Sequence, residues 1–146
     1  MSGRIVVEIS VESLERAVAA ERGGASRIEL CGSLEVGGVT PSVELMREVR
    51  ARVSLPIFAM VRPRGGDFVY SAAEFEEMKR SIETAKGVGM DGVVLGVLSD
   101  DRSVDVGRTA ELVREAAPLP VTFHRAFDES ADLFAALEAV VEPRLQ

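Results

Sequence analysis

The feature that most limits the possible folds is an alternation. Five short apolar runs, each followed by a segment of helical periodicity, recur about every 29 residues along the chain. Such strict alternation predicts an α/β domain on a parallel sheet, because parallel strands need a crossover long enough to hold a helix. Strands are expected at Arg4 to Ser10, Arg27 to Cys31, Pro56 to Val61, Gly92 to Leu98 and Pro120 to His124. The first helix is expected from Val11 to Arg22, stopped by Gly23-Gly24. Thr40-Pro41 offers an N-cap and a first-turn proline for a second helix, with Met46, Val49 and Val53 on its buried face. Ser71 and Glu74 form a capping-box pattern ahead of Phe75, Met78, Ile82 and Ala85. Asp105 can cap a fourth helix reaching Ala116, and Leu133, Leu137 and Val140 mark the buried face of a fifth.

Two architectures share this pattern, a doubly wound open sheet and a (β/α)₈ barrel. The first unit lacks the glycine-rich turn of dinucleotide binders, and polar residues inside the strands favour the barrel. Eight units of this length need about 230 residues. The 146 residues here supply five units, so a single, incomplete TIM-barrel domain is expected over residues 1–146.

Composition excludes several classes of function. A net charge of −7 argues against nucleic-acid partners and anionic membrane surfaces. No uninterrupted apolar run reaches the roughly 18 residues of a membrane span, and the N-terminus enters a strand-like run rather than a signal peptide. One cysteine and one histidine exclude an intrachain disulfide and any multi-thiolate or multi-histidine metal site, and fit a reducing cytoplasm.

Side chains alternate across a strand, so parity sorts the polar residues. Ile28, Leu30, Val121 and Phe123 suit the helix layer, which leaves Glu8, Glu29, Cys31, Phe58, Met60, Arg62, Thr122 and His124 facing the barrel interior. Several lie at C-terminal strand ends, where barrel enzymes keep their sites. Glu8 and Glu29 need partners if buried, and Arg62 and Arg64 can supply them through bidentate bonds. These groups read either as a general acid or base beside an anion clamp, or as a structural ion-pair network. The stretch Arg62-Pro63-Arg64-Gly65-Gly66-Asp67 suits a phosphate, carboxylate or enolate. His124 is the natural proton shuttle, with Arg125 and Asp128 to orient it or bind substrate. Cys31 reads as a small buried residue, a nucleophile, or a soft ligand for Cu(I) supplemented by Met60 or His124.

Four stretches together resemble the CutC family, usually named copper homeostasis proteins: RIELCGSLEVGGVTPS (Arg27 to Ser42), RPRGGDFVYS (Arg62 to Ser71), DGVVLGVL (Asp91 to Leu98) and VTFHRAFD (Val121 to Asp128). The resemblance implies a (β/α)₈ barrel, a cytoplasmic protein and a role in copper handling, with Cu(I) bound through Cys31. It also puts Glu8, Glu29, Arg62, Arg64, His124, Arg125 and Asp128 at the family's pattern positions. The chain departs from the family after the fifth unit, where a Thr-Ser-Gly turn is expected and Val140 to Gln146 stands instead. Two readings of function follow. One is a copper homeostasis protein binding Cu(I) at Cys31. The other is a barrel enzyme doing acid–base chemistry on a small anionic or carbonyl substrate, with His124, Glu8 and Glu29 moving protons and Arg62, Arg64, Arg125 and Asp128 holding the anion. An open five-stranded wall exposing Val6, Phe58 and Met60 further predicts a homo-oligomer.

Overall fold

The computed structural model describes residues 5–141. Five parallel strands form one sheet in the order of the chain: β1 (Glu8–Val11), β2 (Arg27–Leu30), β3 (Ile57–Met60), β4 (Gly92–Leu95) and β5 (Val121–Phe123). Each is followed by a helix: α1 (Leu14–Arg22), α2 (Val43–Arg52), α3 (Ala72–Val88), α4 (Val106–Ala116) and α5 (Leu133–Val141). Sequential pairing with a helix after every strand is the arrangement of a barrel wall; a doubly wound sheet reverses its strand order at a switch point. None of the described helices is long and apolar enough to cross a membrane.

Strand parity holds. Ile28, Leu30, Ile57, Ala59, Val93, Leu95 and Val121 pack against the helices in the main core. Cys31, Phe58, Met60 and Val94 form a second cluster on the opposite face, packed by Leu34. That inner face is not the open apolar patch the sequence suggests. Phe58 and Met60 are only 5% and 4% exposed, and the Arg27 guanidinium lies 4.3 Å above the Phe58 ring. Val6 does remain exposed.

The elements start where a side chain can satisfy the first free N–H groups. Ser71 accepts from Glu74 N–H while the Glu74 carboxylate accepts from Ser71 N–H, completing the expected box over Phe75, Met78, Ile82 and Ala85. Asp105 caps α4 as expected, accepting from Arg108 N–H. The strands run shorter than expected, β4 ending at Leu95 and not Leu98, and three further details differ. The ladder of β1 begins at Glu8, level with Arg27, and takes in Val11, so α1 starts three residues later under a Ser13 cap; Arg4 lies outside the described residues. Ser42, not Thr40, caps α2 by accepting from Leu45 N–H. Thr40 instead bridges to the third strand: its hydroxyl accepts from Arg62 N–H at 2.9 Å and donates to Arg62 C=O at 3.1 Å. In α5, Ala136 faces the core, whereas Leu133 and Leu137 are exposed. Glu138 is the one charged residue of that helix, so apolar side chains fall on its exposed side as well.

Candidate functional site

The C-terminal ends of β2, β3 and β5 and their loops enclose a cavity of about 210 Å³, lined by Glu29, Gly37, Met60, Arg62, Phe68, His124 and Arg125. Arg62 follows β3 directly and is only 2% exposed. Its Nη1 donates to the carbonyls of Val36 and Gly38 at 2.8 and 3.0 Å, and its Nη2 donates to Gly66 at 2.8 Å. The side chain thus ties the loop after β2 to its own loop. Its Nε–H has no partner. Among the described residues no carboxylate forms a salt bridge with Arg62, so its charge is buried with carbonyl dipoles but no counter-ion. Burying a charge this way is costly unless something anionic joins it.

Arg125 stands at the start of the short helical turn Arg125–Glu129 and is exposed. Phe68, on the loop after β3, is the hub of the site. Its ring centroid lies 4.8 Å from the Arg62 guanidinium carbon, 5.5 Å from that of Arg125 and 5.1 Å from the His124 ring. The two guanidinium groups also converge on Gly37. A Cβ there would stand 2.5 Å from Arg125 Nη2 and 3.1 Å from Arg62 Nη1, and the residue adopts φ +91°. Glycine meets both demands, the positive φ and the close approach.

His124 follows β5 with its ring edge against Gly96, the residue after β4: a Cβ on Gly96 would lie 2.6 Å from His124 Cε1 and 2.8 Å from Nδ1. Ala126 N–H donates to Nδ1 at 3.1 Å. That bond requires the Nδ1 lone pair, so the neutral ring carries its proton on Nε2, which is buried without a partner. Burial first, then the charges of Arg62 and Arg125, push the imidazole down to about 3. With Nδ1 accepting from Ala126 and the pKa lowered, the neutral ring offers Nε2–H as its donor.

The other expected residues divide clearly. Glu29 lines the cavity, with Ser10 Oγ–H donating to its Oε1 at 2.8 Å. Glu8 does not reach it. It pairs with its register neighbour Arg27 at 2.6 Å, at the N-terminal end of the strands, because Arg27 points to the same face one strand away. Arg64 is no anion clamp either. It turns back on its own loop, donating to Gly65, Asp67 and Val69 carbonyls and pairing with Glu74 at 2.7 Å and Asp67 at 3.1 Å. Asp128 is exposed on the turn after β5 and does not line the cavity.

Cys31 is fully buried between Phe58, Met60 and Val94. Its thiol donates to Glu29 Oε1 at 3.7 Å. Burial, then the Glu29 charge and this bond, push the thiol up to about 12. Cu(I) takes thiolate and thioether ligands. Here the thiolate is opposed by adjacent carboxylate charge, and Met60 is the second soft group of the cluster. Among the described residues no three His, Cys, Asp or Glu side chains are grouped to hold a metal ion. Cu(I) bound at Cys31 has to displace the proton that the thiol shares with Glu29.

Phe68, Gly37 and Gly96 were not anticipated as site residues. Gly96 was legible in principle, because Gly92, Val94 and Gly96 fall on the inner face by parity, opposite the bulky Phe58 and His124.

A sequential βα sheet with a polar pocket at its C-terminal strand ends defines the wall of a (β/α)-barrel protein, the pocket lying at the end of the barrel where such folds keep their sites. The sequence profile of the CutC family matches residues 5–145, and the chain belongs to that family. It is 51% identical over 136 residues to the human copper homeostasis protein cutC homolog, covering 93% of this chain and 50% of that protein. A CutC family protein of Chromobacterium violaceum is 48% identical, with 93% and 55% covered. The chain thus spans about half the length of these relatives. The solved structure of a CutC protein from Streptococcus agalactiae superposes with a TM-score of 0.91 at 31% identity, covering 98% of this chain and 70% of that one.

Proposed function

We propose that this chain serves copper homeostasis in the cytoplasm, as the names of its relatives suggest, and that its own chemistry is the binding of a small anion at the strand-end pocket. The observation that carries the second part is Arg62: a guanidinium 2% exposed, without a salt-bridge partner among the described residues, lining a cavity beside a second guanidinium. An anion there supplies the missing counter-charge. Glu29, on the same cavity, is the group available to exchange a proton with such a ligand. Titration of the ¹⁵N-labelled chain with acetate, sulfate and phosphate tests the reading. At least one should shift the amides of Gly37, Gly66 and Ala126. Arg125→Ala should weaken that binding about tenfold, the value of one charged hydrogen bond. No shift with any of the three overturns it.

A second reading, Cu(I) at Cys31, is supported by Met60 in the same cluster. It requires the thiol to lose its proton against burial and the charge of Glu29. Titration of the reduced protein with Cu(I) against a competing chelator decides. Equal affinity of wild type and Cys31→Ser removes Cys31 as a copper ligand.

A further inference from the structure

The cavity holds charges of both signs that no described residue neutralises. The guanidinium groups of Arg62 and Arg125 meet over Gly37: Arg125 Nη2 lies 2.5 Å, and Arg62 Nη1 3.1 Å, from the point where a Cβ would stand. Two like charges so close repel each other unless anionic groups join them. Among the described residues no carboxylate forms a salt bridge with either. Glu29 lines the same cavity from β2, yet it pairs with neither guanidinium nor with any other described cation. Its Oε1 is already engaged, accepting from Ser10 Oγ–H at 2.8 Å and from the Cys31 thiol at 3.7 Å. Those two donors hold the carboxylate in place and leave Oε2 as its free acceptor.

One wall of the cavity is therefore negative, at β2, and the other positive, at the loops after β3 and β5. A simple monoanion answers one guanidinium and leaves the Glu29 charge unmatched. A ligand that answers all three side chains carries two anionic groups and one cationic donor. Its net charge of −1 offsets the +1 of two arginines and one glutamate. Phe68 and Met60 line the space between the walls, and about 210 Å³ admits only a short carbon chain there.

We propose that the ligand is a small amino dicarboxylate: its carboxylates balance Arg62 and Arg125, and its ammonium donates to Glu29 Oε2. This rests on the anion reading of the pocket and makes Glu29 the residue that selects among anions. Arg62 contributes mainly charge, because its Nη groups already donate to Val36, Gly38 and Gly66. The exposed Arg125 makes the direct contact.

The test uses the 146-residue chain and four probes: L-aspartate, succinate, L-alanine and inorganic phosphate. Calorimetry should show aspartate binding about tenfold more tightly than succinate, which lacks the ammonium and leaves Glu29 unpaired. Aspartate should lead alanine by about tenfold as well, since alanine lacks the second carboxylate. Glu29→Gln should erase the preference over succinate and keep the preference over alanine. Where that variant does not fold, the wild-type comparison decides alone. Succinate, alanine or phosphate binding as tightly as aspartate, or a folded Glu29→Gln that still prefers aspartate to succinate, overturns the amino dicarboxylate and leaves the anion site standing. Binding of none of the four removes both.

Discussion

A methyl group at Gly37 tests the site at its tightest point. Gly37→Ala puts a Cβ on the meeting point of two guanidinium groups, at a φ of +91° that L-residues rarely adopt. The expected cost is about 1–3 kcal/mol of stability, with loss of anion-induced amide shifts at Ala126. The variant is read by urea unfolding and the same titration. Protonation supplies a second test at this scale. His124 is lowered from 6.5 to about 3, so below pH 6.5 the unfolded chain takes up a proton the native state refuses. Stability contributed by the neutral ring is full above 6.5 and falls as pH drops, by about 2 kcal/mol at pH 5. Cys31 is raised from 9.0 to about 12, so the native thiol keeps a proton that the unfolded chain loses. Its contribution is full below pH 9 and falls above it. Urea midpoints should therefore plateau between about 6.5 and 9 and decline on both sides. A profile flat down to pH 5 would mean that the ring is not held neutral.

Among the elements, the start of α3 and the loop before it share one carboxylate. Glu74 caps Ser71 N–H and also pairs with Arg64, and these two interactions, in that order, hold its carboxyl below the ordinary value. Arg64→Ala should loosen the loop and lower stability while leaving anion affinity within about twofold, because Arg64 does not line the cavity. Ser71→Ala should cost about 1 kcal/mol through the lost cap. Comparing thermal midpoints with binding constants for the two variants separates loop support from ligand contact. The loop also shows why sequence reading falls short. Its arginines are identical as residue types, yet Arg62 has inner-face parity from β3 and buries, while Arg64 sits beyond the strand and bends to whatever acid α3 offers. Strand parity, the capping box and the Asp105 cap were legible because each depends on neighbours a few residues apart. The partner of Glu8, the hub at Phe68 and the tautomer of His124 depend on which strand stands next to which, and on atoms from three loops.

For the whole molecule, exposed apolar groups lie on the segment leading into β1, at Ile5, Val6 and Val7, and on α5, at Leu133, Phe134 and Leu137. Phe134 is 84% exposed. Surfaces of this kind favour association, so the 146-residue chain is expected to form concentration-dependent oligomers. Light scattering over a dilution series checks this, and Phe134→Ser should shift the distribution toward monomer. An unchanged monomer at all concentrations would remove these surfaces as contacts. The sheet order carries a consequence for synthesis. Every strand after β1 pairs with the one made just before it, so each finds a neighbour already synthesised when it leaves the ribosome. The pocket does not share that independence. Arg62 emerges with β3, whereas the imidazole and the second guanidinium arrive only with β5. During translation, then, the wall grows unit by unit while the site waits for its final strand, and a nascent chain can be well ordered long before it can bind anything.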